Sequence, residues 1–431
     1  MKKIFTSLFL FALVIQLGFA QRELVQATPT KMGFDENFIN QKVDSIMQMG
    51  IDSLAFPGAQ LLIAKNDTVI FHKAYGYHTY DKIQPVALND LYDLASVTKI
   101  SGPLPALMKL VDEGKLNLDK PFSTYWEPWR KRKDKRDLTL REILAHQAGL
   151  MPYIVFLNEV VKKNGKVKKR FVHDSPNNRF QGQVYDGIFI NDRFEKKMSR
   201  IINRSEVSDD KKYLYSGLTF LIFPSLIEQI TGTDYQTYLK ENFYGPIGAH
   251  TLGYLPLNNN ITNPIVPTEV DSLFRKTLVK GWVHDENASL KGGVSGNAGL
   301  FATADDLAKL MLLYQNYGSV DGKQLISPDV VKEFTEVQYP ENGNRRGLGF
   351  DKPLLNNSEL PLSEAYPSPL ASPESFGHSG FTGTFVWADP VKKITYIFLS
   401  NRVYPSRSHQ KLYDLNIRTA LMDVFYRAEK Q

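Results

Sequence analysis

The chain has 431 residues, of which 42% are hydrophobic and 12% aromatic; that is enough to bury a large core and excludes a disordered or fibrous protein. Its 52 basic and 46 acidic residues leave a formal charge of +6, a mild imbalance that singles out no polyanionic partner. With no cysteine, disulfides, thiolate metal sites and lipidation at cysteine are excluded.

Met1-Lys2-Lys3, an apolar run over residues 4–17 and Gly18-Phe19-Ala20 read as a secretory signal peptide cleaved after Ala20, which places the mature chain, 21–431, in the periplasm or outside the cell. The run is shorter than the ~20 residues of a spanning helix. No later stretch is long enough to span, so no membrane contact is expected after cleavage.

Residues 35–49 predict an amphipathic helix. Two β-rich runs, 60–64 and 68–72, predict a hairpin around Lys65-Asn66-Asp67. A helix follows from Ser96; Pro105 should kink it and Gly114 should end it. From there to about residue 287 the pattern is mainly helical, best over 138–145, 194–202, 218–231 and 235–243. Basic runs at 130–136 and 162–170 have no aromatic interleaving or nucleic-acid module, so they read as solvated loops; the alternative is a surface for an anionic polymer. Gly292 to Gly299 forms a tight-turn segment. Thr303 then caps a helix whose apolar face is Leu307, Leu310, Met311 and Tyr314. Strands at 384–387 and 394–399 flank a turn at 389–393, and a closing helix covers about 411–426. The layout is sheet, helical insert, sheet. It predicts an α/β (α+β) chain: an antiparallel sheet (about 35–95 plus 290–431) flanked by helices, with an inserted, mostly helical domain (about 96–289) and a cleft between them.

The chemistry starts at Ser96-Val97-Thr98-Lys99. Residues i and i+3 share a helical face, so the lysine can reach the serine hydroxyl, which is a poor nucleophile until a neighbouring base activates it. Unpaired N–H groups at a helix start can also face an anion. The same spacing recurs at Ser208/Lys211 and Ser408/Lys411, where no long apolar helix follows, and a serine before a helix can serve simply as an N-cap. Two downstream stretches favour the first copy: Tyr213-Leu214-Tyr215-Ser216-Gly217-Leu218 and Phe376-Gly377-His378-Ser379-Gly380-Phe381-Thr382-Gly383-Thr384.

In this order the three stretches match S-x-x-K, Y-x-N and K/H-x-G, and the chain resembles the β-lactamase-related serine hydrolase family of class C β-lactamases, D-amino-acid peptidases and esterases, with the penicillin-binding-protein fold. The resemblance runs from about residue 57 to 406. It includes Phe56-Pro57-Gly58, Leu138-Thr139-Leu140-Arg141, His146-Gln147-Ala148-Gly149-Leu150 and the segment from Gly299 to Leu307. It implies a β-lactamase/transpeptidase-like fold, with Ser96 as acylated nucleophile and Lys99 with Tyr215 as the base system. It further implies an oxyanion hole from the amides of Ser96 and Phe381, and substrate contacts at His378, Ser379, Gly380 and Gly217. Unperturbed, Lys titrates near ~10.4 and Tyr near ~10, so each needs the other's field to act at neutral pH.

Two departures bear on substrate. Gly217 stands where the second motif has Asn, and His378 where β-lactamases have Lys. Both argue against efficient β-lactam hydrolysis and favour an ester or a small peptide or amide; a weak penicillin-binding or cell-wall-fragment-sensing protein, or a β-lactamase, are the alternatives. The further copies Tyr314-Gln315-Asn316 and Lys291-Gly292-Gly293 read as packing and surface. No H-x-x-x-H or H-E-x-x-H pattern exists, so no metal and no cofactor is expected, and His284 and His146 read as structural or cleft-lining. The expected partner is a small-molecule or peptide substrate, cell-wall-derived ones included, with no nucleic acid.

Overall fold

A computed structural model describes residues 23–259 and 261–430; the signal peptide expected at 1–20 lies outside them. The first strand, β1 (Val25–Gln26), precedes α1 (Glu36–Asp52). Asp35 caps α1 by accepting the Phe38 N–H at 3.0 Å, and the helix buries Ile39, Val43 and Met47 at helical spacing. β2 (Gly58–Lys65) and β3 (Thr68–Gly76) follow, joined by Asn66 and Asp67 at φ 49° and 62°, the left-handed pair that a two-residue hairpin needs.

The segment around Ser96 is a 3₁₀ turn, Ala95–Val97, running into α2 (Thr98–Ser101). Gly102 breaks the chain direction, and α3 (Pro103–Asp112) starts afresh. The expected kink at Pro105 is therefore absent. Pro103 and Pro105 both sit in the first turn of α3, where a backbone N–H would have no intrahelical partner. A β-carbon at Gly102 would lie 2.7 and 2.8 Å from the hydroxyls of Tyr254 and Tyr235, so that break is packed tightly.

The later elements are α4 (Ala304–Gln315), capped by Thr303, then β4 (Phe376–Ser379), β5 (Phe385–Asp389), β6 (Ile394–Ser400) and α5 (Ile417–Ala428). The closing helix is shorter than expected: Lys411–Asp414 is a separate turn, and Asn416 at φ 48° interrupts the run.

The sheet order is β1-β3-β2-β6-β5-β4, antiparallel except for β1 with β3. At its centre β2 pairs with β6, from Ala59 opposite Ser400 to Lys65 opposite Ile394. Both faces are covered. Leu61, Ile63, Trp387 and Phe398 pack with Val43 of α1 and Phe425 of α5, while Leu62, Ala64, Val386 and Ile397 pack with Leu307 and Met311 of α4. Burial on both sides removes the polar alternation of a half-exposed strand, which is why 60–64 reads as an apolar run.

The insert has helices at Leu140–Leu144, Phe194–Arg204, Phe223–Thr231 and Tyr235–Leu239. The expectation of a mainly helical segment fails at 172–190, where Val172–His173, Gly182–Tyr185 and Ile188–Ile190 form a small antiparallel sheet. Asp186-Gly187 between two β-rich runs is a hairpin signal that the helical reading passed over. This sheet docks beside the cleft wall: the Tyr185 hydroxyl donates to the Leu278 carbonyl at 3.0 Å and the Ser289 hydroxyl to that of Val184 at 2.7 Å. The basic run at 130–136 is partly absorbed into the fold: Lys135 is buried and Arg132 pairs with Asp134 at 2.7 Å. Among the described residues, no helix is long and apolar enough to cross a membrane.

Candidate active site

Ala95 sits at φ 45°, an unfavourable conformation for a residue with a β-carbon. Asp93, fully buried, holds it there: one carboxylate oxygen accepts the Ala95 N–H at 2.8 Å and the other accepts the His284 N–H at 2.6 Å. The turn between β4 and β5 is stapled to the same spot. The Thr382 hydroxyl donates to the Asp93 carbonyl at 2.8 Å and the Thr384 hydroxyl to that of Leu94 at 3.0 Å. A β-carbon at Gly380 would fall 2.5 Å from the Leu94 oxygen, so only glycine allows this approach. The backbones of Ser96 and Phe381 thereby lie on adjoining turns.

Ser96 is partly exposed, and its Oγ accepts a hydrogen bond from Lys99 Nζ at 2.9 Å. It does not act as an N-cap: α2 begins after Val97 with no side-chain cap. Lys99 is 3% exposed and donates a second bond to the Asn297 carbonyl at 3.0 Å, so the glycine-rich turn at 292–299 supplies a backbone anchor for this lysine. The same ammonium lies 5.4 Å from the Tyr215 ring centre and 5.6 Å from that of Phe220.

Burial pushes the Tyr215 phenol up, but the charges of Lys99 and then Arg346, with Ser96 and Lys99 close by, outweigh it and hold its pKa below the usual tyrosine value. No well-aligned hydrogen bond reaches the covered hydroxyl. Two imidazoles flank it. The His146 ring is 4.5 Å from that of Tyr215, and its Nδ1 accepts the Ser216 N–H at 3.2 Å. The His378 ring is 6.1 Å away, and its Nδ1 donates to the Ser379 carbonyl at 2.8 Å. Burial first, then the charges of Arg346 and Lys99, push His146 well down and His378 down to about 3, so both are neutral.

At Gly217 a β-carbon would meet nothing nearer than Lys99 Cε at 3.9 Å, so the place of a side-chain amide is open space. Phe381 is 46% exposed at the cleft rim, its ring set between His284 (5.8 Å) and the Arg402 guanidinium (4.5 Å).

His284 belongs to a polar network: its Nε2 lies 2.6 Å from Glu269, which pairs with Arg407 at 2.7 Å, and Arg407 reaches Glu286 at 2.6 Å. Among the described residues no group of three His, Asp or Glu side chains could hold a metal ion. Burial alone would raise the Glu269 carboxyl, but His284 and Arg407 outweigh it and hold it at about 2. A carboxylate depressed in the fold stabilises it above its unfolded value near ~4.3 and loses that contribution as pH falls toward 2. Thermal unfolding followed over that acid range should show the loss, and Glu269→Gln should flatten it.

The other motif copies stay apart. Tyr314 is buried with its hydroxyl on the Ile100 carbonyl, Lys291 pairs with Glu195, Lys211 pairs with Glu142, and the Ser408 hydroxyl bonds that of Ser406.

Two participants carry no readable motif, the Asn297 carbonyl and Arg346; the His146 ring, read from the sequence as structural or cleft-lining, faces Tyr215. Arg346 is 7% exposed, with its guanidinium 5.1 Å from the Tyr215 ring centre. It is delivered by residues 344–351, which are tied to the His146 loop by Asn344 Nδ2 on the Ala145 carbonyl (2.8 Å). The same segment is tied to β4 by paired backbone bonds between Asp351 and Gly377 (2.8 and 3.0 Å). A partly exposed serine, a lysine in contact with it and an acidified phenol beside both can carry out acyl transfer through the serine.

Residues 39–421 match the family model described as "Beta-lactamase". The chain is 30% identical over 405 residues to the "Putative D-alanyl-D-alanine carboxypeptidase" of Escherichia coli O157:H7, covering 88% of this chain and 86% of that protein. In fold it is similar to EstCE1, a hydrolase with promiscuous acyltransferase activity (TM-score 0.63, 17% identity, 89% of this chain and 98% of that one). It is also similar to a penicillin-binding protein homolog from Caulobacter crescentus (TM-score 0.62, 18% identity, 92% and 98%).

Proposed function

This chain belongs to the beta-lactamase family, and from that premise we propose that it is an exported serine hydrolase that forms an acyl-enzyme on Ser96 and acts on esters or D-amino-acid-type peptides and amides. The observation that carries this reading is the 2.9 Å contact from Lys99 Nζ to Ser96 Oγ beside a phenol held below its usual pKa. Tyr215 and Lys99 together take the Ser96 proton as Oγ attacks the carbonyl. The amides of Ser96 and Phe381 receive the negative charge, the proton passes to the leaving group, and water then releases the acyl group by the same route. The carboxypeptidase name of the relatives and the hydrolase among the fold neighbours support the substrate range.

Gly217 and the neutral His378 support placing β-lactams low in that range, since neither offers the side-chain amide or the fixed cation that would orient an acylamino carboxylate. Gly217→Asn should fold normally, because the position is open and its backbone needs no left-handed angle. Labelling by a fluorescent penicillin should rise about fivefold, while turnover of a small p-nitrophenyl ester stays within about twofold, one good hydrogen bond being worth about 1 kcal/mol. Equal labelling of both proteins would show that this position does not set the preference.

The direct test is intact mass spectrometry after incubation with a fluorophosphonate, a p-nitrophenyl ester and a fluorescent penicillin, followed by peptide mapping. An adduct on Ser96 supports the hydrolase, and the reagent that reacts identifies its substrate side. Tight ligand binding without an adduct from any of the three would replace it with a binding protein on the same fold. Export is tested by N-terminal sequencing of the mature protein, expected to begin at Gln21.

A further inference from the structure

Among the described residues, four buried polar atoms in one cluster have no well-aligned hydrogen-bond partner: Tyr215 Oη, which has Ser96 and Lys99 close by, His146 Nε2, His378 Nε2 and Arg346 Nη1. Leaving such groups unpaired is expensive, and concentrating four of them around one phenol is a feature to be explained. The groups facing Tyr215 come from every neighbouring segment. Ser96 and Lys99 come from the nucleophile turn and α2, His146 from the loop after Leu140–Leu144, and His378 from β4. Arg346 comes from the segment bridged to β4, and Tyr213, whose hydroxyl accepts from Arg346 Nε at 3.2 Å, from the irregular segment leading to Tyr215. Asp351, the anion behind Arg346, is divided: it lies 2.8 Å from Arg345, 3.6 Å from Arg346 and 2.9 Å from the Tyr366 hydroxyl. The Arg346 guanidinium therefore stands between Asp351, 3.6 Å from its Nε, and the Tyr215 ring, whose centre is 5.1 Å away.

The hydrogen bonds on the far sides of the imidazoles fix their tautomers. His146 takes the Ser216 N–H on Nδ1, so its proton sits on Nε2. His378 gives its Nδ1 proton to the Ser379 carbonyl, so its Nε2 is a bare acceptor. Neither ring can supply a lasting cation here. A guanidinium keeps its charge at every working pH and lies well against an aromatic face.

We propose that Arg346 is a positioning residue for the base: its guanidinium, 5.1 Å from the Tyr215 ring centre, is a second cation beside Lys99 that favours the phenol's proton-accepting form. This rests on the serine hydrolase reading above. Arg346 acts through Tyr215, alongside Lys99 and from a different segment of the chain. The site then depends on two cations converging on one phenol, and the activity-bearing form is the one that has lost the proton. Removing one cation must move the acid side of the pH profile upward.

The test measures the rate of Ser96 labelling by a fluorophosphonate, with kcat and KM for a p-nitrophenyl ester, across pH for the full mature chain and for Arg346→Gln and Arg346→Lys. Arg346→Gln should move the acid limb up by about one pH unit or more, the scale on which a neighbouring charge shifts a pKa. At neutral pH that lowers kcat about tenfold and leaves KM within about twofold. Arg346→Lys should return the limb most of the way. An acid limb unmoved in a folded Arg346→Gln overturns the inference, as does a rise in KM at constant kcat, which would make Arg346 a substrate contact. Should Arg346→Gln fail to fold, Asp351→Asn provides the opposite displacement: it frees more of the Arg346 charge, so the limb should move down, and a stationary limb overturns the inference. Labelling of Ser96 with an unmoved limb counts against Arg346 alone, whereas a wild-type chain that is never labelled removes the hydrolase reading as well.

Discussion

Ser96→Ala is expected to abolish covalent labelling and to lower ester turnover by about 10⁴-fold or more, the scale of losing a covalent nucleophile whose partners are left in place. What survives is the contribution of the oxyanion donors and of binding, so a small residual rate above the uncatalysed reaction is part of the expectation. The fold should be unaffected. The hydroxyl's hydrogen bond is the one it accepts from Lys99, and Lys99 keeps its bond to the Asn297 carbonyl. Stopped-assay kinetics with a p-nitrophenyl ester and a thermal melt, run on the same preparation, separate the two effects. Full turnover by the alanine variant would remove Ser96 from the chemistry.

Lys99→Met should lower kcat by about 10²–10⁴-fold, the range of a positioned acid or base. Two losses coincide: the serine loses its lysine contact, and the Tyr215 phenol loses the larger of the two charges that favour its ionised form. The acid limb of the remaining activity should therefore move to higher pH. Methionine follows a similar path and removes a buried charge, while the Asn297 carbonyl is left without that donor. These effects oppose each other, and the net change in stability should stay within about 2 kcal/mol. A methionine variant with unchanged kcat and pH profile would refute the base assignment.

Much of the sheet was readable because local chemistry determines it. Lys65-Asn66-Asp67 between two β-rich runs and Thr303 before a helix appear as expected, and the amphipathic helix expected over 35–49 runs over Glu36–Asp52. The three motif segments do converge: Lys99 contacts Ser96, Tyr215 lies over Lys99, and the turn after His378 is stapled to the nucleophile turn. The misses have physical causes. Pro105 reads as a helix-interior residue because nothing local announces that the chain breaks at Gly102 and the helix restarts at Pro103, two residues earlier. The sheet at 172–190 was hidden in a basic, polar surrounding although Asp186-Gly187 marks it. Arg346 had no readable sign at all. It sits in an irregular segment placed by backbone pairing of Asp351 with Gly377, and long-range pairing leaves no periodicity. The neutral state of His378 likewise depends on burial and on that arginine.

The pairing of β2 with β6 has a consequence for the order of events during synthesis. The centre of the sheet joins the first strands made to nearly the last, and the staples from Thr382 and Thr384 to the turn before Ser96 arrive later than almost everything else. Contacts so distant in sequence form slowly and only once the intervening chain exists. Until they form, the turn carrying Ser96 lacks the wall that Thr382 and Thr384 hold against it, and Lys99 lacks its Asn297 anchor. On the proposed reading of Ser96 as nucleophile, its complete site exists only once the whole protein has been assembled.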